Sequence, residues 1–204
     1  MISFKTYINE WKLNDHTSFN VDNCKYTPKS FTELCGIVEE KYNNMNDDCI
    51  LDLKDINVSL IKSFYDKRIG HGYTDQKFGI FQGLNTCKII DITGWNTSNA
   101  TSFMNMFSRC KKLEEIRGIQ YIDVSNAENT CAMFEWCESL KILDLSKWNT
   151  KKVIRANTMF KGCQYINIKG IDKWDMSNIK EMYEMFDWCP LNVIPDWFDK
   201  LKWG

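Results

Sequence analysis

The sequence predicts a mixed α/β repeat fold, a solenoid with a parallel β-sheet on one side and short helices on the other. Three observations predict it. Met-Phe-x-x-Cys occurs four times, at Met106-Phe107 to Cys110, Met133-Phe134 to Cys137, Met159-Phe160 to Cys163 and Met185-Phe186 to Cys189, with the Phe residues 27, 26 and 26 apart. Each unit holds a short apolar run of strand length, clearest in Ile142, Leu143 and Leu145. A Trp or Ile then precedes an Asn or Asp that suits a turn: Trp95-Asn96, Ile122-Asp123, Trp148-Asn149 and Trp174-Asp175.

Residues 1–49 read as an N-terminal cap. Within it, Pro28 to Met45 sets Phe31, Leu34, Val38 and Tyr42 on one side of a helix suited to cover the first coil. The array then runs over 50–189 as about five 26-residue repeats. Leu51-Asp52-Leu53 supplies the first strand, with Ile56 in the Trp slot. Ile80-Phe81-Gln82-Gly83-Leu84 stands 26 residues before Met106-Phe107, with Leu84 in the place of Cys. Ile56 and Trp95 are 39 residues apart, one period plus 13, so an insertion falls near Lys67 to Lys77, around Gly70-His71-Gly72. In the last unit Ile179, Met182, Met185 and Phe186, at spacings of 3, 3 and 1, predict a helix of about two turns capped by Asp175 or Ser177. Residues 190–204 form a C-terminal cap carrying Pro190 and Pro195.

One such strand cannot bury its own face, so the units must stack, with strands roughly 4.8 Å apart. Stacking lines Cys110, Cys137, Cys163 and Cys189 into a column. Nine cysteines, an odd number with no C-x-x-C pair, and parallel Cβ vectors in the column predict buried free thiols rather than disulfides.

Composition narrows the function classes. With 26 Lys plus Arg against 27 Asp plus Glu, the chain has no positive excess for a phosphate backbone, and nucleic acid is not expected. No apolar run reaches the roughly 18–20 residues of a membrane span. The opening Met1-Ile2-Ser3-Phe4-Lys5 lacks the layout of a signal peptide, so the chain reads as cytoplasmic. The two histidines, His16 and His71, lie outside the regular repeats and in no nucleophile or metal motif, so no enzyme activity, cofactor or metal is expected. The column Asn57, Asn96, Asp123, Asn149 and Asp175 could suggest calcium, but the further carboxylates and glycines such sites need are missing, and a hydrogen-bonded ladder is expected instead.

The candidate partner-binding residues are those that break or decorate the repeat. The slot before the repeated Cys holds Arg109, Trp136, Gly162 and Trp188, and Trp and Arg are enriched in binding hot spots. Either this slot faces solvent and its Trp residues form a contact patch, or it faces inward and they pack across Gly162. Asp91, Arg117, Asp144 and Lys169 are expected to line the outer surface of the sheet.

Leu143-Asp144-Leu145-Ser146-Lys147-Trp148-Asn149-Thr150 and Trp174-Asp175-Met176-Ser177-Asn178-Ile179 resemble the repeats of the BspA-like leucine-rich-repeat proteins, over about residues 50 to 190. The resemblance implies a right-handed, leucine-rich-repeat-like solenoid that binds proteins or surfaces and carries no catalytic residues. The N-terminal segment is similar to the cap and first coil of small cytoplasmic or phage-encoded members. The expected function is a non-enzymatic protein-binding module, intracellular or phage-encoded, that binds, or binds and inhibits, a host or virion protein. The alternative is a fragment of a cell-surface adhesin of that family.

Overall fold

The computed structural model describes residues 25–66 and 78–198, a mixed α/β arrangement with small parallel sheets. The expectations for residues 1–24, for His16 and for the loop around His71 lie outside the described residues. Helix α1 (Phe31–Asn43) begins where Ser30 Oγ accepts the Glu33 N–H at 3.2 Å, while Glu33 reaches back to the Lys29 N–H at 2.7 Å. Its inner face buries Leu34, Ile37 and Val38 against the first unit. Lys41 joins it to Asp55 at 2.8 Å.

The parallel strands are three residues long and share a buried central residue. β1 (Ile50–Asp52), β4 (Ile89–Asp91) and β5 (Glu115–Arg117) form one parallel sheet, and β6 (Ile142–Asp144) and β7 (Asn167–Lys169) a second. β2 (Tyr65–Asp66) and β3 (Phe78–Gly79) pair antiparallel on either side of the insertion. The central residue of each parallel strand, Leu51, Ile90, Ile116, Leu143 and Ile168, points into the core. A second line of parallel bridges runs Ser63, Ser102, Asn129, Arg155 and Glu181. Consecutive units are therefore tied at two places around each repeat.

The turns after β5 and β7 are one residue longer than those after β4 and β6. Each begins at a left-handed glycine, Gly118 (φ 88°) or Gly170 (φ 83°), followed by a 3₁₀ turn. A Cβ at Gly118 would lie 2.7 Å from the Thr93 backbone, so both conformation and space require glycine. The longer turn carries β6 out of ladder register with β5, leaving a Lys141 N–H to Glu114 carbonyl bond at 3.4 Å at their start.

The short helices expected opposite the sheet are not there. Residues 103–110 and their equivalents fold as successive tight turns. The N–H groups of Met106, Ser108 and Cys110 donate three residues back, to Phe103, Asn105 and Phe107. Those of Phe103, Asn105, Phe107 and Arg109 instead donate across to the next unit, at 2.9, 3.0, 2.9 and 2.6 Å. A helix would spend all these donors internally; alternating them gives a turn structure that is also a ladder. The alternation needs left-handed residues at fixed places, and φ is positive at Asn105, Ala132, Thr158 and Glu184 and again at Arg109, Trp136, Gly162 and Trp188.

The core is a column of rings. Phe81, Phe107, Phe134, Phe160 and Phe186 stack with centroids 5.1, 5.5, 5.6 and 5.5 Å apart. Trp148 lies on Trp174 beside it at 5.9 Å. Four thiols complete the column: Cys110, Cys137, Cys163 and Cys189 donate to the Phe81, Phe107, Phe134 and Phe160 carbonyls at 2.9 to 3.1 Å. None of the cysteines among the described residues forms a disulfide, and each column thiol donates to the unit before it.

The C-terminal cap keeps part of the repeat. Ile194 lies 26 residues after Ile168, and Pro195 falls where a third strand residue would donate its N–H. Trp197 Nε1 donates to the Ile171 carbonyl at 2.8 Å, as Trp148 Nε1 does to Ile119 at 3.0 Å. Phe198 then meets Phe186 edge-on at 5.0 Å and 87°, which ends the flat stack.

Candidate protein-interaction surface

The slot before the repeated Cys is set by backbone before side chain. Its four residues have φ of 62°, 57°, 77° and 64°, a conformation glycine adopts freely and other residues adopt at a cost of about 1–2 kcal/mol. Gly162 is thus the residue that fits, and Arg109, Trp136 and Trp188 are the exceptions. The structure answers the choice between outward and inward with a mixture. Arg109 is exposed, and Trp188 is 72% exposed. Trp136 is half-buried, lying along the surface over the next unit, where a Cβ on Gly162 would come within 2.3 Å of its ring. Trp188 holds the same slot in the last full unit.

Other apolar side chains project near it. Tyr183, in the same turn segment, is 73% exposed. Tyr165 and Leu191, 26 residues apart and both two positions after the repeated Cys, are 71% and 86% exposed. The sequence reading missed these three. For Tyr165 and Leu191 a signal was available, since the equivalent positions two after Cys110 and Cys137 hold Lys112 and Ser139.

On the sheet, cross-strand register brings Asp52, Asp91 and Arg117 into one row and Asp144 and Lys169 into another. Arg117, Asp144 and Lys169 are solvent-accessible. Asp91 is a correction: it is buried, with its carboxylate on the Thr93 N–H at 3.0 Å and Lys54 Nζ at 3.8 Å, on the middle strand of three between Asp52 and Arg117. Arg117 Nε lies 3.3 Å from Glu115. Asp144 accepts from the Ser146 hydroxyl at 2.6 Å and N–H at 3.2 Å, and these bonds hold its carboxyl below the usual range. Between β5 and β6 an open depression of about 750 Å³ is lined by Lys88, Glu114, Arg117, Lys141, Ile142 and Asp144. Its charges are largely satisfied within the chain, Lys141 on Glu114 among them.

The Asn/Asp column makes local turns and not a ladder. Asn57, Asn96, Asp123, Asn149 and Asp175 each accept the N–H two residues on, at 2.8 to 3.2 Å. Bonds between units come from neighbours: Thr97 and Thr150 hydroxyls donate to the Asp123 and Asp175 carbonyls at 2.9 and 3.0 Å, and Asn126 and Asn178 amides to the Ser98 and Lys151 carbonyls at 2.8 and 2.7 Å.

This is a repeat protein whose most exposed apolar residues, Tyr165, Tyr183, Trp188 and Leu191, lie in or just after its last units, while the less exposed Leu60, Tyr121 and Ile142 lie earlier. The chain belongs to the family described as Mycoplasma protein of unknown function, DUF285, whose model matches residues 77–194. No curated protein and no solved structure matches it. Among the described residues no helix is long and apolar enough to cross a membrane.

Proposed function

We propose that the chain is a non-enzymatic protein-binding module, a right-handed solenoid of the BspA-like leucine-rich-repeat type acting inside a bacterial cell or a phage-infected one. The observation that carries this reading is the exposure of Trp188, Tyr183, Tyr165 and Leu191 in and just after the last two units. Large apolar side chains held out on a rigid frame cost a free protein solubility and gain it contact area, and Trp and Tyr supply that area with few rotors to freeze. The charged rows of the sheet add orientation more than affinity, because exposed pairs are worth at most about 1 kcal/mol each.

The test is affinity capture from an extract of the native host with the intact chain and a Tyr183→Ala/Trp188→Ala/Leu191→Ala variant. One partner should be retained by the first and lost by the second. Equal retention by both, or retention of nucleic acid that falls steeply with salt, would contradict the reading.

A further inference from the structure

The turn segments of neighbouring units are joined in one direction, N–H groups of one unit donating to carbonyls of the next. The carbonyls of Glu181, Tyr183, Met185 and Asp187 are taken in this way by Ala156, Thr158, Phe160 and Gly162, at 2.7, 2.8, 3.0 and 2.8 Å. The matching donors of the last unit, the N–H groups of Met182, Glu184, Phe186 and Trp188, meet no acceptor among the described residues. Phe186 is buried against Phe198, but Met182, Glu184 and Trp188 are solvent-accessible. The ladder therefore ends in a row of donors whose own carbonyls are spent.

That edge selects its occupant. A β-strand edge offers N–H and C=O groups together, whereas this one offers N–H groups alone. Two copies cannot pair through it, because donors would face donors. Nor is the acceptor end of the ladder open to a second copy: Ile80, 26 residues before the acceptor Met106, is wholly buried. An anion would meet carboxylates. Glu184 is paired with Lys161, but Glu181 and Asp187 are exposed and form no ion pair among the described residues. Two exposed rings, Tyr183 and Trp188, stand on the same segment.

We propose that this edge, residues 182–188, grips a proline-rich partner segment that carries Lys or Arg. The proposal rests on the protein-binding reading above and names the chemistry that the surface takes. Proline has no N–H, so an extended run of it presents carbonyls with no donors to set against the row. Its rings supply apolar faces for Trp188 and Tyr183, the way aromatic-lined grooves hold such segments. Lys or Arg between the prolines meets Glu181 and Asp187, which fixes register.

The test is titration of the isotope-labelled full chain with a synthetic peptide of prolines interrupted by lysines, beside one with Ala for Pro and one with Glu for Lys. The first should bind most tightly. On binding, the Met182, Glu184 and Trp188 amides should gain protection from hydrogen exchange, which ring contact alone would not give. Trp188→Ala should weaken binding at least roughly fivefold. Glu181→Gln/Asp187→Asn should weaken it and flatten its salt dependence. Equal affinity for the three peptides, binding without protection of those amides, or protection that grows with protein concentration and no peptide, as a second copy would give, would overturn the proposal. If no peptide binds while host extract still yields a partner lost in the triple variant, this proposal falls and the protein-binding reading stands. If neither binds, both fall.

Discussion

Phe186 and Trp188 are two residues apart on one turn segment and meet opposite fates. Phe186 is buried in the ring column, while Trp188 stands in solvent. The same contrast holds through the array: the Phe column is identical from unit to unit, whereas the column two residues later reads Arg109, Trp136, Gly162, Trp188. The interior position must match the ring above and below it. The outer position must only tolerate a positive φ, and its side chain is left to other uses.

The largest effect that would break this comparison lies in the middle of the column. Phe134 touches rings on both sides, nearly parallel to Phe107 at 3° and Phe160 at 6°. Phe134→Ala should lower the unfolding free energy by about 3–5 kcal/mol in urea titration. A loss below about 1 kcal/mol would mean the rings do not pack as described.

Next comes Gly118→Ala, which meets both a left-handed backbone and a Cβ 2.7 Å from the Thr93 backbone. About 1–3 kcal/mol should be lost in thermal or urea unfolding.

A third effect is sharper in pH than in size. Burial, against weaker backbone hydrogen bonds, raises the Cys110 thiol to about 12, and burial raises Cys137 and Cys163 well above their ordinary 9.0. An acid whose folded pKa is raised keeps its proton when folded and loses it when unfolded. Its contribution is therefore whole below about pH 9 and lost as pH climbs toward the folded values. Urea midpoints should fall progressively above pH 9, and Cys110→Ala should flatten that fall. The acid side runs the other way. Hydrogen bonds from Ser146 and Ser177 lower the Asp144 and Asp175 carboxyls below 3.8, so their small contribution disappears only as pH drops through and below that range.

The smallest expected effect is Trp188→Ala on stability, within about 0.5 kcal/mol, as for exposed positions generally.

Much of the interior was legible, because stacking makes every unit repeat the same contacts: the Met-Phe-x-x-Cys register alone located the ring and thiol columns. The turn structure was not. Ile179, Met182, Met185 and Phe186 have helix-like spacing, and nothing in Ala132, Thr158 or Glu184 announces a left-handed backbone; only Gly83, Asn105 and Gly162 hinted at it. The slot of Trp136 and Trp188 was singled out because it broke the pattern. Tyr165 and Leu191 were overlooked although Lys112 and Ser139 mark their column as outward, and Tyr183 because its column also holds the apolar Cys131 and Met104. Asp91 was misplaced because it sits on the middle strand of three, between Asp52 and Arg117 with Lys54 beside it, whereas Asp144 pairs on one side only.

The central claim is that folding is carried by the inner column and that the outer one is free for binding. Urea unfolding of Phe186→Ala and Trp188→Ala, side by side, tests it most directly. Phe186→Ala should lose about 3–5 kcal/mol and Trp188→Ala no more than about 0.5. Equal losses in the two variants would contradict the account.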